Sequence, residues 1–357
     1  MPITRITVNR AGTTSTAIGV DRTVEAGTTT ISKNGSPYIT VDRAPVVEAG
    51  EAKPLLSKVG GATLAFALYD LYDSQGNAKI CQVIKRAVGS STVVATQTFT
   101  AKNLASKLED FIGVGYDGYV SIWYNQSTQG LTKPLNWSSV ETQAHPKIVS
   151  NGSVVKDPQG KLAIDGLGAR MKLTNEDNNS LGHGDILSSD GSFSLFLVGN
   201  FPSYSTANRN NVQILNLNSD GNGGANNSRK PFITINKSFN KVGSSVGTFN
   251  IGDSPALGNV YGSYVSGSDV TELITNIANP TKTTNNNTMW LDGVFRTTTN
   301  DNTVANTSTS STRNSFLFDK EENSVTTHIS SMIYYPSDKL NAVEYIHSNL
   351  LNKHDIT

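Results

Sequence analysis

Several carboxylates scattered along the chain are candidates for catalytic residues. Two carboxyl groups that face each other across a cleft at a defined distance can act as a nucleophile and an acid/base. The sequence does not give that distance, and a solvated loop position is the alternative for each. The candidates are Glu141, Asp165, Glu176, Asp177, Asp185 and Glu272. We align none of them with a catalytic position and therefore assign no catalytic residue.

Histidine, cysteine and glycine residues raise the possibility of zinc binding, nucleophilic catalysis and nucleotide binding. For each of the three, the sequence favours a structural role instead. His183 lies in a polar Gly-His-Gly-Asp loop, but no two histidines have the four-residue spacing of a zinc helix. Cys81 stands in an apolar run, which is typical of a small buried side chain. Residues 113–118 match G-x-G-x-x-G, but a predicted helix precedes them and a strand follows. A nucleotide site needs the reverse order, so we predict a turn.

Oxygen-rich loops and exposed aromatic residues raise the possibility of calcium and sugar binding. Residues 175–179 and 220–224 offer Asp, Asn and Glu oxygens, without the spacing of a helix-loop-helix calcium site. Tyr204, Tyr261 and Tyr264 lie among Gly and Ser, where they could stack on sugar rings, form subunit contacts or pack in the core. We predict no cofactor and no metal ligand, with calcium as the alternative.

The composition is that of a β-rich protein with many loops. Only 16% of the 357 residues are charged, against about 25% in typical domains, so Asn, Ser, Thr and Gly must form much of the surface. The 29 basic and 29 acidic residues cancel without a run of either sign. This balance argues against a nucleic-acid partner and against an anionic membrane surface.

Targeting signals and cysteine usage favour synthesis in a reducing cytoplasm. The first five residues have no apolar signal-peptide core, and no uninterrupted apolar stretch reaches the roughly 18 residues of a membrane span. We therefore expect neither signal-peptide secretion nor membrane insertion. The single cysteine cannot form an internal disulfide.

The secondary structure that positions these side chains is predicted to fall into two parts of the chain, residues 1–54 and residues 55–357. The first part is rich in Thr and Gly, and Asn34-Gly35 predicts a hairpin turn because both residues tolerate positive φ. So short a segment buries little surface alone, and we expect it to act as an anchor that packs on another subunit or on the main domain.

In the second part, the spacing of Leu64, Leu68 and Leu71 predicts a short amphipathic helix over residues 62–72. A second helical segment is predicted over 104–112, and a C-terminal helix from Ser337 with a stripe that begins at Leu340. Strands are predicted at 79–87, 92–99, 119–124, 193–198, 212–217, 232–235, 288–291, 315–318 and 329–335.

Three further features of this region come from its apolar pattern. The segment 193–198 is apolar on both faces, which predicts a central, buried strand. Asp292-Gly293 predicts a tight turn. Residues 276–287 and 297–311 contain few apolar residues and are predicted to be exposed loops.

Two segments resemble known families. Residues 55–68, with the strand at 79–86 and Val120–Ser127, resemble the opening of the fungal α-L-arabinofuranosidase catalytic domain, a layout that many phage virion proteins reuse. In that family a Trp/Tyr-Asp-Gln-Ser turn precedes a strand that is similar to His145–Val149. Asn125 stands at the acid of that turn, and an amide cannot titrate.

The second segment is Ile329–Pro336 with the helix after it, which is similar to the end of concanavalin A-like (laminin-G-like) modules; Trp290–Val294 resembles one of their hairpins. Together the two resemblances imply an all-β fold for residues 55–357, an antiparallel jelly-roll sandwich of two stacked sheets with a C-terminal helix.

The resemblance favours a structural protein of a bacteriophage particle, a head-decoration, fibre or tail-associated component made in the host cytoplasm. We expect residues 1–54 to attach it to other virion proteins, and we expect a homo-oligomer. A host-glycan-binding adhesin or receptor-binding protein is the alternative, and a glycoside hydrolase of arabinofuranosidase type is the third reading. We expect no enzymatic activity.

Overall fold

The structure is a computed structural model that describes residues 27–33, 36–43, 54–71, 76–127, 135–139, 145–166, 169–174, 192–200, 212–219, 232–239, 245–252, 260–265, 271–279, 287–299, 314–320 and 327–356. The chain divides into two compact units, residues 1–52 and 53–357. In the first unit, strands β1 (Gly27–Lys33) and β2 (Ser36–Arg43) pair antiparallel with Lys33 opposite Ser36. This pairing confirms the predicted hairpin.

The second unit consists mainly of strands. Its helices are α1 (Leu55–Lys58), α2 (Ala101–Ile112) and α3 (Val343–His354), the last preceded by a 3₁₀ turn at Leu340–Ala342. Its strands are β3 (Leu64–Ala67), β4 (Lys79–Ala87), β5 (Val93–Thr100), β6 (Tyr116–Tyr124), β7 (Asn136–Ser139), β8 (Lys147–Ser150), β9 (Ser153–Val154), β10 (Ile164–Asp165), β11 (Met171–Thr174), β12 (Phe193–Asn200), β13 (Val212–Ser219), β14 (Phe232–Phe239), β15 (Ser245–Gly252), β16 (Val260–Val265), β17 (Thr271–Ala278), β18 (Asn287–Leu291), β19 (Val294–Thr299), β20 (Asn314–Lys320) and β21 (His328–Tyr335).

These strands form two antiparallel sheets. In the β12 sheet, β19, β18, β17, β12 and β21 lie side by side, and β3 and β10 pair with the far edge of β21. In the β6 sheet, β5, β4 and β6 lie side by side, and β6 pairs on its other edge with β7 and β8. From β7 the sheet continues through β11, β20, β13, β14 and β15 to β16. β8 also pairs with β10, which joins the two sheets.

One apolar core lies between the sheets. Phe66 on β3 contacts Trp123 on β6 and Trp137 on β7, with ring centroids 5.5 and 5.9 Å apart. All three side chains are buried. Because β3 belongs to one sheet and both tryptophans to the other, these contacts establish that the sheets face each other. The predicted all-β antiparallel sandwich is therefore confirmed.

A second core lies on the other face of the β12 sheet, under the helices. Ala65 and Ala67 of β3 pack there with Leu56 of α1 and with Ile346 and Leu350 of α3. The alternation of side chains along a strand places neighbouring residues in different cores. A sheet covered on both faces must be apolar on both.

Strand β12 shows this two-sided burial along its whole length. All eight of its residues are buried. Leu195 and Leu197 belong to the core between the sheets, whereas Phe196 and Val198 belong to the core under the helices. β17 and β21 flank β12 on its two edges. The prediction of a central, buried strand is confirmed.

The predicted helix over residues 62–72 is wrong. Residues 64–67 form β3, which pairs with β21, and the only helical turn of this region that the structure describes is α1. Leu64 and Leu68 have helical spacing by coincidence: Leu64 and Phe66 face one core, while Ala65 and Ala67 face the other. A strand buried on both faces has no polar alternation, so periodicity alone does not separate it from a helix.

Other predicted bounds also need correction. The predicted loop over 276–287 begins inside β17, where the buried Asn276 donates a hydrogen bond to the carbonyl of Thr288 (3.1 Å), and it ends inside β18. The loop over 297–311 likewise starts inside β19. Helix α2 begins at Ala101, three residues before the prediction.

The start of the C-terminal helix was predicted too early. Regular helix begins at Val343, and Leu340 lies in the 3₁₀ turn, 43% exposed, instead of heading the apolar stripe. The rest of the stripe, Val343, Ile346 and Leu350, is buried as expected. No helix in the described part of the chain is long and apolar enough to cross a membrane.

Candidate functional site

The turn after β6 contains Asn125, the residue at the position of the arabinofuranosidase family's turn acid. Its Oδ1 accepts hydrogen bonds from the backbone N–H of Ala65 (2.8 Å) and of Ser127 (3.0 Å), and its Nδ2 donates to the carbonyl of Thr63 (2.9 Å). The amide thus needs both its acceptor and its donor to hold β3. In this chain the turn is a structural clamp.

Gln126 extends this clamp along the same segment. Its Oε1 accepts from the N–H of Leu71 (2.8 Å), and its Nε2 donates to the carbonyls of Ala67 (3.0 Å) and Tyr69 (2.9 Å). Gln126 is buried, so unmade bonds would leave polar groups without water. The motif that carries the family resemblance therefore has a folding role here.

A row of polar side chains crosses the joined sheets on their outer face. Strand register places Tyr119 opposite Lys147, Lys147 opposite Asp165, and Asp165 opposite His328. Directly opposed residues of antiparallel strands share a face. Their neighbours Ile164 and Ile329 are also opposed and face the core between the sheets, so this row faces away from it.

Arg86 and Asp117 complete what we call the outer polar row. They are opposed on β4 and β6, on the same face as Tyr119. The outer polar row thus comprises Arg86, Asp117, Tyr119, Lys147, Asp165 and His328. All six are partly exposed except Asp117, which is buried. It is a set of charged, hydrogen-bonding and aromatic groups on the surface of the sheet.

Asp117 is the most connected member of the outer polar row. It accepts hydrogen bonds from the Tyr119 hydroxyl (3.0 Å), the Lys147 ammonium (3.0 Å) and the backbone N–H of Asn151 (2.8 Å). Burial alone would raise the pKa of Asp117, but these hydrogen bonds and the charge of Lys147 outweigh it and hold the pKa below its usual value. Asp117 is therefore ionised at neutral pH and is a poor general acid.

Tyr119 is flanked by two cations. The Arg86 guanidinium lies 5.3 Å and the Lys147 ammonium 5.5 Å from the centre of its ring, within cation–π range. Burial raises the pKa of Tyr119, against the opposing effect of the Lys147 charge, and the hydrogen bond to Asp117 raises it further. The phenol stays protonated, and the row presents donors and acceptors in fixed positions.

A buried Ser–His pair lies elsewhere, in the core under the helices. The Ser331 Oγ is 3.0 Å from Nε2 of His354, and it donates to the Tyr69 hydroxyl at 3.3 Å. Both partners of the pair are buried. Burial, together with nearby Lys353 and Lys161, lowers the pKa of His354 to about 4. The contact resembles a nucleophile–base pair, but substrate cannot reach a fully buried hydroxyl, so we assign it to packing.

The sequence did not single out this pair, nor most of the outer polar row. Of the predicted carboxylates, Asp165 lies in the row, whereas Glu272 on β17 is buried and opposite Gly199. Thr271 is opposite Asn200, and Asn200 is opposite His328, so Thr271 lies on the same face of the sheet as the outer polar row. The next residue, Glu272, points to the other face. The structure does not bring these two carboxylates together.

Several predicted candidates lie outside the described residues. They are Glu141, Glu176, Asp177, Asp185, His183, Tyr204 and the oxygen-rich loops 175–179 and 220–224. Tyr261 and Tyr264 lie on β16, whose backbone is described and whose side chains are not. In the described ranges, no three His, Cys, Asp or Glu side chains converge on a point that could hold a metal ion. Cys81 is buried, which raises the pKa of its thiol and fits a packing role.

The G-x-G-x-x-G match at 113–118 is the turn that the sequence predicted. Gly113 ends α2 with a positive φ of 71°, and its N–H bonds to the carbonyl of Glu109 (2.8 Å). A side chain at Gly118 would place its Cβ 2.9 Å from Ile112, where the helix packs on β6. Gly113 therefore accepts the positive φ that ends the helix, and Gly118 serves close packing between helix and sheet.

Comparison with known proteins gives the fold. The sequence matches no family model and no curated protein. The structure is similar to a GH54 α-L-arabinofuranosidase soaked with a cyclic sulfate inhibitor, with a TM-score of 0.53 and 12% identity over 84% of this chain and 65% of the enzyme chain. A mutant of such an enzyme soaked with 4-nitrophenyl α-L-arabinofuranoside gives the same values.

A structure of botulinum neurotoxin type C matches less well. The cell entry of that toxin is described as dependent on interaction with two ganglioside molecules. The TM-score of this match is 0.37, with 11% identity over 64% of this chain and 48% of that chain. This chain spans 65% of the length of the arabinofuranosidase chains. The likeness to the arabinofuranosidases confirms the predicted β-sandwich and, at this identity, shows the fold alone.

Proposed function

We propose that the sandwich is a non-catalytic carbohydrate-binding module and that the outer polar row forms part of its binding surface. The observation that carries the proposal is the row itself. Six polar or aromatic residues from five strands meet on the outer face of the sheet, opposite the apolar core, and five of them are partly exposed. Sugar hydroxyls are recognised by such fixed donors and acceptors beside an aromatic ring.

Two features support binding without catalysis. Asn125 replaces the turn acid of the arabinofuranosidase family and uses both ends of its amide to hold β3. Asp117, the most connected carboxylate of the row, has a lowered pKa and stays ionised. A general acid needs a raised pKa to carry a proton at neutral pH.

The first experiment is a glycan array probed with the whole chain, followed by calorimetry on the ligand found. Arg86→Met keeps the aliphatic stem and removes the guanidinium donors, so we expect affinity to fall by about tenfold, the effect of one lost charged hydrogen bond. Lys107→Met, at an exposed position of α2, removes a charge away from the row and is the matched control, with unchanged affinity expected.

Two outcomes would count against this proposal. A folded chain that binds no glycan on the array contradicts the binding role. Release of 4-nitrophenol from 4-nitrophenyl α-L-arabinofuranoside, above the level of a heat-denatured sample, contradicts the absence of catalysis.

We further propose that the module is displayed on a bacteriophage particle as a structural virion protein. The supporting observation is the division into a small unit, residues 1–52, and the sandwich unit. The first unit would attach to other virion proteins, leaving the sandwich to contact the host surface. Deletion of residues 1–54 should then abolish association with particles while the sandwich retains its melting temperature. A deleted chain that still sediments with particles would exclude this role for the segment.

A further inference from the structure

The outer face of the β6 sheet collects basic side chains, although the chain as a whole has equal numbers of basic and acidic residues. We call this set the cationic face; two of its members also belong to the outer polar row. Its residues are Lys79, Arg86, Lys147, Arg170 and Lys172. Because these residues are scattered along the chain, the concentration of positive charge comes from the way the strands pair.

Strand register places Lys172 and Arg86 on the same face. Directly opposed residues of antiparallel strands share a face. Four such residues on β4, β6, β7 and β11 are, in order, Gln82, Ile122, Ser138 and Lys172. Met171 and Leu173, on either side of Lys172, belong to the core between the sheets, so Lys172 faces away from it. Arg86 is four positions after Gln82 on β4 and faces the same way.

Lys79 and Arg170 extend the cationic face. The Lys79 ammonium lies 5.8 Å from the centre of the Tyr124 ring, and Tyr124 follows the core residue Trp123, so both side chains lie on the outer side. Burial lowers the pKa of Lys172, and the positive charge of nearby Arg170 lowers it further. Two cations that repel each other in this way favour an anion beside them.

Little of this charge is neutralised within the described part of the chain. Lys147 forms an ion pair with Asp117 (3.0 Å), whereas Lys79, Arg86 and Lys172 form none with the residues that the structure describes. Asp117 and one further carboxylate of the outer polar row are the acidic residues of the described strands that register places on this face. Five cations against two carboxylates leave a positive surface, which attracts an anionic ligand.

The tyrosine rings of the face are engaged by these cations. Arg86 and Lys147 lie beside the ring of Tyr119, and Lys79 lies beside that of Tyr124. A cation at the face of a ring occupies the surface on which a sugar would stack. Positive charge is therefore the main feature that this face offers to a ligand.

The cations are spread across the face instead of converging on one point. Three strand spacings separate β4, which carries Arg86, from β11, which carries Lys172. At about 4.8 Å per spacing this is about 14 Å. One carboxylate cannot contact both side chains, whereas a polymer with an acid group that recurs along its length can.

We propose that the cationic face binds a polysaccharide of uronic acids, an inference that rests on the proposed carbohydrate-binding function. Between the cations lie the amide of Gln82 and the hydroxyl of Ser138, which suit sugar hydroxyls. The two carboxylates of the face repel a densely charged polyanion such as a nucleic acid or a highly sulfated chain. A polymer with one carboxylate for each sugar, or for every second sugar, fits this balance of charges.

The test is binding of the whole chain to polygalacturonate, alginate and hyaluronan, measured by calorimetry beside the carboxyl-reduced form of each polymer. Reduction converts every carboxylate into an alcohol and leaves the polymer uncharged. We expect at least one of the three to bind, and its reduced form to bind at least about tenfold more weakly. Added salt should weaken the binding, because exposed charges are screened.

Three double variants locate the binding surface. K79M/K172M removes two cations of the face and should lower the affinity by at least about tenfold. K79R/K172R keeps both charges and should retain most of the affinity. The charge-matched control K58M/K107M, at exposed positions of α1 and α2, should bind as the wild type does. Melting temperatures establish that each variant is folded.

The outcomes separate this inference from the proposed function. Binding on the glycan array without binding to any of the three polymers, or equal binding of a polymer and its reduced form, overturns the inference and leaves carbohydrate binding standing. Absence of binding in both experiments overturns both. Tighter binding of dextran sulfate or of a single-stranded oligonucleotide overturns the uronic-acid assignment and indicates a densely charged partner. Binding that K79M/K172M leaves unchanged overturns its placement on the cationic face.

Discussion

Single side chains in this protein hold long backbone segments in place. Asn125 and Gln126 are neighbours in one turn, yet between them they bond backbone groups from Thr63 to Leu71. An amide suits this work because it donates and accepts at the same time, whereas a carboxylate only accepts when ionised. Asn125, where the turn that it resembles in the arabinofuranosidases has Asp, therefore differs in what it can bond as well as in what it can protonate.

Substitution of Asn125 by alanine tests the clamp. It leaves two backbone N–H groups and one carbonyl without their partner, and we expect the free energy of unfolding to fall by about 2 to 4 kcal/mol. Asn352→Ala, on the exposed face of α3, is the matched control and should change stability by less than about 0.5 kcal/mol. Urea denaturation measures both. Equal, small effects would contradict the structural role of the turn.

Substitution of Asn125 by aspartate separates the clamp from catalysis. The carboxylate keeps the bonds from Ala65 and Ser127 but turns an acceptor toward the carbonyl of Thr63, so we expect lower stability. We also expect no hydrolysis of an aryl arabinofuranoside, because the carboxylate at position 125 would stay bonded to the N–H groups of Ala65 and Ser127, which stabilise its ionised form. A gain of hydrolysis in the variant would show that only the acid was missing.

At the scale of elements, helix α3 carries two buried histidines onto the β12 sheet. Nε2 of His347 is 2.9 Å from the Thr275 hydroxyl, and its ring packs on Phe196 and Trp290. Burial lowers the pKa of His347 to about 4, and the pKa of His354 is lowered to the same value. The helix is therefore docked through neutral imidazoles.

This docking makes stability depend on pH. The unfolded chain takes up protons on these histidines near pH 6.5, while the folded chain does so only near pH 4. Their contribution is complete above pH 6.5 and is lost as the pH falls from there to about 4, by on the order of 3 kcal/mol for each histidine. Thermal unfolding followed between pH 7.5 and pH 4 should show this decline.

The variant H347Q/H354Q is the control for that decline. Glutamine retains a side-chain amide that can bond Thr275 and Ser331 and does not titrate. The variant should therefore have a flatter profile over the same pH interval, with the contribution of carboxylates unchanged. A variant that declines as steeply as the wild type would show that other groups control the acid response.

The sequence predicted many of these elements but not the candidate site. Strands such as 329–335 and the two-sided burial of β12 followed from apolar patterns of adjacent residues. β3 was missed because its four apolar residues have no polar alternation and are too few to distinguish a strand from a helix.

The outer polar row depends on strand register, which the sequence does not contain. Tyr119, Lys147, Asp165 and His328 are far apart along the chain and meet only because β6, β8, β10 and β21 pair in this order. The buried histidines of α3 could have been found from the sequence, because His347 and His354 each follow a residue of the apolar stripe, Val343 and Leu350, by four positions.

At the scale of the whole unit, the β12 sheet joins two apolar cores. Leu197 faces the other sheet and Val198 faces the helices, so a cavity beside either residue weakens the same strand. We expect the helix layer and the sandwich to unfold in one transition, because neither can lose β12 and remain packed.

Two alanine substitutions test this cooperativity. Leu197→Ala should cost about 2 to 5 kcal/mol and Val198→Ala about 2 kcal/mol, and both should lower a single melting transition followed by far- and near-ultraviolet circular dichroism. Val294→Ala, at a 55% exposed position, is the control and should have an effect below about 0.5 kcal/mol. A separate early transition in Val198→Ala alone would show that the helix layer unfolds independently.

The pairing of β3 with β21 has a consequence for how the chain is made. The two strands lie near opposite ends of the sandwich unit, and they pair from Leu64 opposite Tyr334 to Ala67 opposite Ser331. During translation β3 leaves the ribosome long before its partner exists, with four apolar residues and nothing to cover them. The sandwich can close only after nearly all of the unit has been synthesised, so this protein should fold slowly and after translation, and its nascent chain should depend on chaperones until β21 emerges.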